Sequence, residues 1–170
     1  MSAIILDSKL NTMTLKYSQF FVRMAVATAF LSAVGDRLGF WGQPGTKYSS
    51  WGNWDNFMLY SNKLNFFVPE LLQEPLAILA TALEVIFGGL LILGYKTKLT
   101  AILSGLLLIL FALTMTLAFG IKSSFSYSVW IGAGACFLLA HVETYHYGLD
   151  NYLNRNNKDE NESSVLESMV

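Results

Sequence analysis

Long apolar runs recur along the chain, at about residues 17–34, 75–94, 99–119 and 125–141. A bilayer core of ~30 Å takes about 20 apolar residues at helical rise, so each run is read as a membrane-crossing helix. The third is the clearest, with no charged residue from Leu99 to Phe119. The first carries Arg23 and the second Glu84; the fourth is shorter, rich in small residues, and opens just after Lys122. Residues 95–98 leave so little chain between the second and third runs that they form an antiparallel hairpin, and residues 120–124 do the same for the third and fourth. The first connection, residues 35–74, is long and holds Trp41, Trp51 and Trp54. In it Trp51, Trp54 and Met58 recur at helical spacing with Asn53, Asp55 and Asn56 between them. That pattern fits an interfacial helix with its rings at headgroup depth, or an aromatic-belted loop without helix. The expected fold is an all-α integral membrane four-helix bundle with a long, aromatic-rich first extracytoplasmic loop.

Composition agrees. Hydrophobic residues make up 54% and charged residues 14%, with a mean hydropathy of +0.45, too apolar for a soluble domain with a polar surface. A chain of 170 residues has room for one domain. A first run read as a cleaved signal peptide is disfavoured: Arg23 interrupts it, and Gly35, Asp36 and Arg37 make a poor cleavage context. Lys9, Lys16, Lys96, Lys98, Arg155 and Lys158 fall on one side of the expected spans. Arg37, Lys47, Lys63 and Lys122 fall on the other, mostly diluted along the long loop. Both termini are therefore expected in the cytoplasm. Residues 1–16 form a cytoplasmic N-terminal segment, 17–150 the transmembrane domain, and 151–170, rich in Asn, Asp, Glu and Ser, a disordered cytoplasmic tail.

The formal charge of −1 and the scattered basic residues exclude nucleic-acid partners. Cys136 is the only cysteine, so the chain forms no internal disulfide and runs no two-thiol chemistry alone. With Gly132 and Ala140 at four-residue spacing it reads as a packing residue. No phosphate loop, catalytic triad or nucleotide fingerprint occurs. His141 and His146, with Glu143 between them, are wrongly spaced for a zinc helix, and haem ligation from one helix end is disfavoured; no metal is expected.

The chemistry that remains is ionisable groups in hydrocarbon. A carboxylate near the middle of a span costs ~2.5–3.5 kcal/mol on insertion scales, so Glu84 faces inward and needs a partner, a proton or water. Ala77, Ala80, Thr81 and Gly88 share its helix face, a small-residue stripe suited to close contact. Arg23 is the natural partner, although a stripe of Ala25, Thr28, Ser32 and Gly35 on the opposite face of its helix leaves open that Arg23 turns to lipid. The polar site is thus Arg23, Glu84 and Thr81, with Asp36, Arg37, Trp51, Asn53 and Trp54 as loop and interface candidates.

From about Phe21 to Asp150 the chain resembles the DoxX family of small bacterial four-helix membrane proteins, related to the DoxD-type subunit of thiosulfate:quinone oxidoreductases. The resemblance rests on Arg23, the run Phe30, Leu31, Ser32, Ala33 leading to Asp36 and Arg37, then Trp51, Gly52, Asn53, Pro69, and Thr81, Ala82, Leu83, Glu84 with Gly88. It continues through Leu93, Gly94, Tyr95, Lys96, Thr97, then Gly120, Ile121, Lys122, then Tyr127, Ser128, Val129, and ends on Gly148, Leu149, Asp150. Each piece is weak alone; their order and spacing are more specific. Many relatives have a Gly-rich turn and Ser-Leu-Asp where this chain has His146, Tyr147, Gly148, Leu149 and Asp150.

The resemblance implies a bacterial inner-membrane protein acting as an accessory or anchoring subunit of a quinone-linked redox system, with a redox enzyme partner, the lipid bilayer around it and quinone near Glu84 and Arg23. A structural, partner-stabilising protein and a small proton-coupled transporter using Glu84, the latter as a homo-oligomer, stand as alternatives. The chain carries no catalytic motif of its own, so it is at most an oxidoreductase subunit.

Overall fold

The computed structural model describes residues 2–153, with side chains from residue 13 onward. Every regular element among them is helical: α1 (Ser2–Arg37), α2 (Trp54–Leu64), α3 (Glu70–Leu93), α4 (Thr97–Phe119), α5 (Ile121–Ser126) and α6 (Val129–Ala140). Three stretches, Met13–Arg37, Glu70–Leu93 and Thr97–Phe119, are long and apolar enough to cross a membrane. α1 runs unbroken from Ser2, so the N-terminal segment and the first run are one helix. Most of the tail expected to be disordered lies outside the described residues.

The fourth run is not one helix. Ser128 adopts a left-handed conformation (φ 55°) and divides it into α5 and α6. The sequence there alternates serine with aromatics, and serine hydroxyls compete with helix hydrogen bonding. Ser124 lies at the centre of that competition: its hydroxyl donates to the Ile121 carbonyl (2.9 Å), accepts from Trp130 Nε1 (3.0 Å) and pairs with the Thr116 hydroxyl (2.9 Å). At 12 residues, α6 is about 18 Å long and shorter than a bilayer core.

α1 and α3 pack side by side in opposite directions, and α4 packs against both α3 and α6. The core joins Val26, Ala27 and Phe30 of α1 to Phe87 and Leu91 of α3, Ala101 and Leu107 of α4, and Cys136, Leu139 and Ala140 of α6. Small residues permit the close approaches. A Cβ on Gly88 would sit 3.1 Å from Leu31, and one on Gly105 would sit 2.9 Å from the Phe137 ring. The buried face of α1 is Gln19, Arg23, Val26, Ala27, Phe30, Val34 and Arg37, whereas Ala25, Thr28 and Ser32 are exposed. The inner face is therefore the one bearing both arginines, opposite the small-residue stripe.

The long first connection contains a true helix. Asn53 caps α2, its side-chain oxygen accepting from the Asn56 N–H at 2.8 Å, one of the strongest start signals a helix has.

Candidate functional site

Glu84 is buried, 2% exposed, and its partner is Arg37. One terminal nitrogen of Arg37 donates to Glu84 Oε2 at 2.5 Å and to the Thr81 hydroxyl at 2.6 Å; the other donates to Oε1 at 3.0 Å. Thr81 passes its own hydrogen on to the Ala77 carbonyl at 2.8 Å. Over the guanidinium lie two rings, Phe57 with its centroid 4.2 Å away and Trp51 at 5.6 Å. Arg37 thus sits between a carboxylate and an aromatic roof, an arrangement its flat, delocalised cation suits better than a lysine would.

The roof is tied down by the preceding residue. Asp36 accepts from the Ser49 hydroxyl (2.7 Å) and from the backbone N–H groups of Ser50 (2.9 Å), Trp51 (3.1 Å) and Gly52 (3.2 Å). These bonds fold residues 49–52 back onto the end of α1. Gly52 is required at the fold-back: its φ is +67° and a Cβ would meet the Pro44 nitrogen at 2.6 Å. The Trp51 carbonyl then accepts from the Asn56 side chain (3.0 Å), and Trp51 and Trp54 both pack on Phe57 with centroids 5.3 Å away. Consecutive acid and base at the end of α1 therefore do different work, Asp36 on the loop and Arg37 on α3.

The expected pairing of Arg23 with Glu84 is corrected by this geometry, and Arg23 does not face lipid either. Its Nε donates to the Leu91 carbonyl (2.9 Å), and its terminal nitrogens donate to the carbonyls of His146 (2.9 Å), Ile92 (3.2 Å) and Tyr147 (3.2 Å). The physical reason is the direction of helical side chains, which lean toward the N-terminus of their own helix. With α1 and α3 antiparallel, Glu84 leans toward the end of the bundle where α1 finishes, Arg37 leans inward to meet it, and Arg23 leans away. Because it ends the apolar run, Arg37 looks from sequence like a loop or interface residue. Its signal was the 14-residue, two-heptad offset from Arg23, which puts both on one helix face.

Arg23 belongs to a second constellation at the opposite end of the bundle. Gly94 and Gly148 press together there: a Cβ on Gly94 would lie 2.8 Å from the Gly148 Cα and one on Gly148 would lie 2.9 Å from the Gly94 Cα. The Gly94 carbonyl accepts from the Asp150 N–H at 2.9 Å. The Asp150 carboxylate in turn accepts from the N–H groups of Lys96 and Thr97, both at 2.7 Å, and so caps α4 from outside its own chain segment. Lys96 is in a left-handed conformation (φ 46°) and supplies no cap of its own. The turn at residues 146–150 is thereby a clasp that joins the α3–α4 hairpin to α1.

No family model, curated protein or solved structure matches the chain. Glu84 is bound at both oxygens by a cation, and each side-chain nitrogen of Arg23 is bound to a carbonyl. These residues do not fit a quinone headgroup held between Arg23 and Glu84, since they sit at different depths and their polar atoms are taken. Among the described residues no three His, Cys, Asp or Glu side chains converge as metal ligands. His141 bonds to the Phe137 carbonyl through Nδ1 (2.7 Å).

Proposed function

We propose that the chain is a multi-pass protein of a bacterial cytoplasmic membrane, of the DoxX type, that serves as an accessory or anchoring subunit of a quinone-linked redox system. In this reading it crosses the bilayer four times, α5 and α6 together making the fourth crossing as a broken helix beside α4, with both termini in the cytoplasm. The observation that carries the accessory role is the internal engagement of the charged groups in the apolar helices. Both terminal nitrogens of Arg37 are bound to Glu84, only its Nε lacking a partner, and Arg23 is spent on backbone carbonyls. A proton-coupled transporter needs an acid that exchanges between protonated and charged states. A carboxylate whose two oxygens are both taken up by one guanidinium has no open side for a proton-exchanging partner, which speaks for a scaffold and against Glu84 as a proton carrier. The organised aromatic loop above that scaffold is the surface it offers a partner.

Purification in mild detergent tests this. The wild-type chain is expected to bring with it a partner that carries a redox cofactor, seen in an oxidised-minus-reduced absorbance scan. Asp36→Asn, which loosens the loop and leaves the Arg37–Glu84 pair, should lose the partner. Purification of a lone chain that drives proton-coupled uptake in liposomes would overturn the reading.

A further inference from the structure

A groove of about 360 Å³ opens between α2 and the corner where α4 gives way to α5. Asn56, Leu59, Tyr60 and Lys63 line one side at the spacing of a single helix face. Phe119, Ser123 and Tyr127 line the other. We propose that this groove binds the phosphate headgroup of an anionic phospholipid.

Its chemistry is one-signed. Lys63 brings an ammonium, Tyr60, Tyr127 and Ser123 bring hydroxyls, Asn56 brings an amide, and no acid lines the groove. Among the described residues no carboxylate pairs with Lys63. The Tyr60 ring stacks on Phe119 with centroids 5.4 Å apart. Burial, and then the neighbouring Tyr127, push its phenol up to about 12, so it remains a hydrogen-bond donor at neutral pH. Position selects a lipid over a free phosphate. Phe119 is the last residue of a membrane-crossing stretch, so the groove lies where hydrocarbon gives way to headgroups. Leu59, which lines the groove, is exposed, as are Phe66 and Phe67 just after α2 and Ile121 and Phe125 of α5, apolar surface that acyl chains would cover. A choline headgroup would set a second cation beside Lys63; a phosphoglycerol headgroup would not. The inference rests on the spanning helices and is independent of any redox role.

The test titrates phosphatidylglycerol and phosphatidylcholine into the purified full-length chain and counts bound lipid by native mass spectrometry. Phosphatidylglycerol is expected to bind more tightly, and Lys63→Gln to weaken it about fivefold, the contribution of one lysine at a membrane surface, without changing phosphatidylcholine. Lys47→Gln, outside the groove, should change neither. Equal affinity for the two lipids, or an unaltered Lys63→Gln, overturns the proposal. Displacement by soluble glycerol phosphate at the same concentration as the lipid also overturns it, by making free phosphate the ligand. Tyr127→Phe, at an exposed ring, supplies a second variant if Lys63→Gln folds poorly, and is expected to lower phosphatidylglycerol affinity in the same selective way.

Discussion

Arg37, the last residue of α1, holds the Glu84 carboxylate of α3 through both terminal nitrogens, across a sequence separation of 47 residues. Both side chains are buried, so neither charge has solvent to fall back on when the other is removed.

That dependence sets the first prediction. Glu84→Gln or Arg37→Met alone should destabilise the protein by about 3–5 kcal/mol, the usual result of stranding one buried charge. The pair Arg37→Met with Glu84→Met should lose much less than the sum, because no charge is left behind. Arg23→Met with Glu84→Gln should be additive. Thermal unfolding in detergent checks all the variants, and strong coupling of Glu84 to Arg23 instead of Arg37 would refute the assignment.

The second prediction concerns the other arginine. Arg23→Lys keeps the charge but replaces a planar fork with a point donor that cannot reach carbonyls on both α3 and residues 146–147. Each charge-assisted bond lost is worth about 1.5–3 kcal/mol. The expected outcome is a lower unfolding temperature and faster proteolysis within residues 141–153, while the Arg37–Glu84 pair stays intact. Resistance to protease equal to wild type would mean that the clasp does not depend on Arg23.

Much of this was open to a reader of the sequence. Three of the apolar runs are helices long and apolar enough to cross a membrane, because nothing competes with hydrophobic length in them, whereas Trp51, Trp54 and Met58 left helix and loop both open until the Asn53 cap decided for α2. Glu84 and Thr81 were identifiable as a polar pair on one face, since helical spacing is local. The partner of Glu84 was not, because choosing between Arg23 and Arg37 takes the antiparallel arrangement and the lean of side chains together. The inner face of α1 stays open in the sequence for a related reason. Small residues suggest close packing, yet the two buried arginines impose a stronger demand, and the stripe of Ala25, Thr28 and Ser32 turns outward. The break at Ser128 was hidden by the apolar neighbours of a serine-rich segment. The capping of α4 by Asp150 joins groups 53 and 54 residues apart, and no local pattern announces it.

Glycines provide a third prediction with an internal control. Gly94 has φ +65°, and a Cβ there would collide with the Arg23 guanidinium; Gly148 meets Gly94 and Arg23 almost as closely. Gly94→Ala and Gly148→Ala should therefore each lower stability by more than about 1 kcal/mol and release the 146–150 clasp. A Cβ on Gly89 or Gly134 meets nothing within 4 Å, and both residues lie inside helices. Gly89→Ala and Gly134→Ala should be neutral or stabilising by up to about 1 kcal/mol, since alanine is the better helix former. Uniform losses at all four glycines would mean that general helix perturbation, not the clasp, sets the response.

The fourth prediction isolates the loop from the buried pair. Asp36 uses both carboxylate oxygens, accepting from the Ser49 hydroxyl and three successive backbone N–H groups. Asparagine keeps the size and one acceptor oxygen, but its NH2 group would then face donors, so at least one N–H of residues 50–52 loses its partner. The expected result of Asp36→Asn is faster tryptic cleavage after Lys47, in the exposed stretch just before the anchored residues, together with a change in tryptophan fluorescence as Trp51 moves from the Arg37 guanidinium. Global unfolding should shift less than in Glu84→Gln, because the Arg37–Glu84 bonds do not pass through Asp36. If instead Asp36→Asn and Glu84→Gln unfold at the same temperature and strain the loop equally, the aromatic roof and the ion pair are a single cooperative unit, and the loop cannot loosen while the helices stay closed.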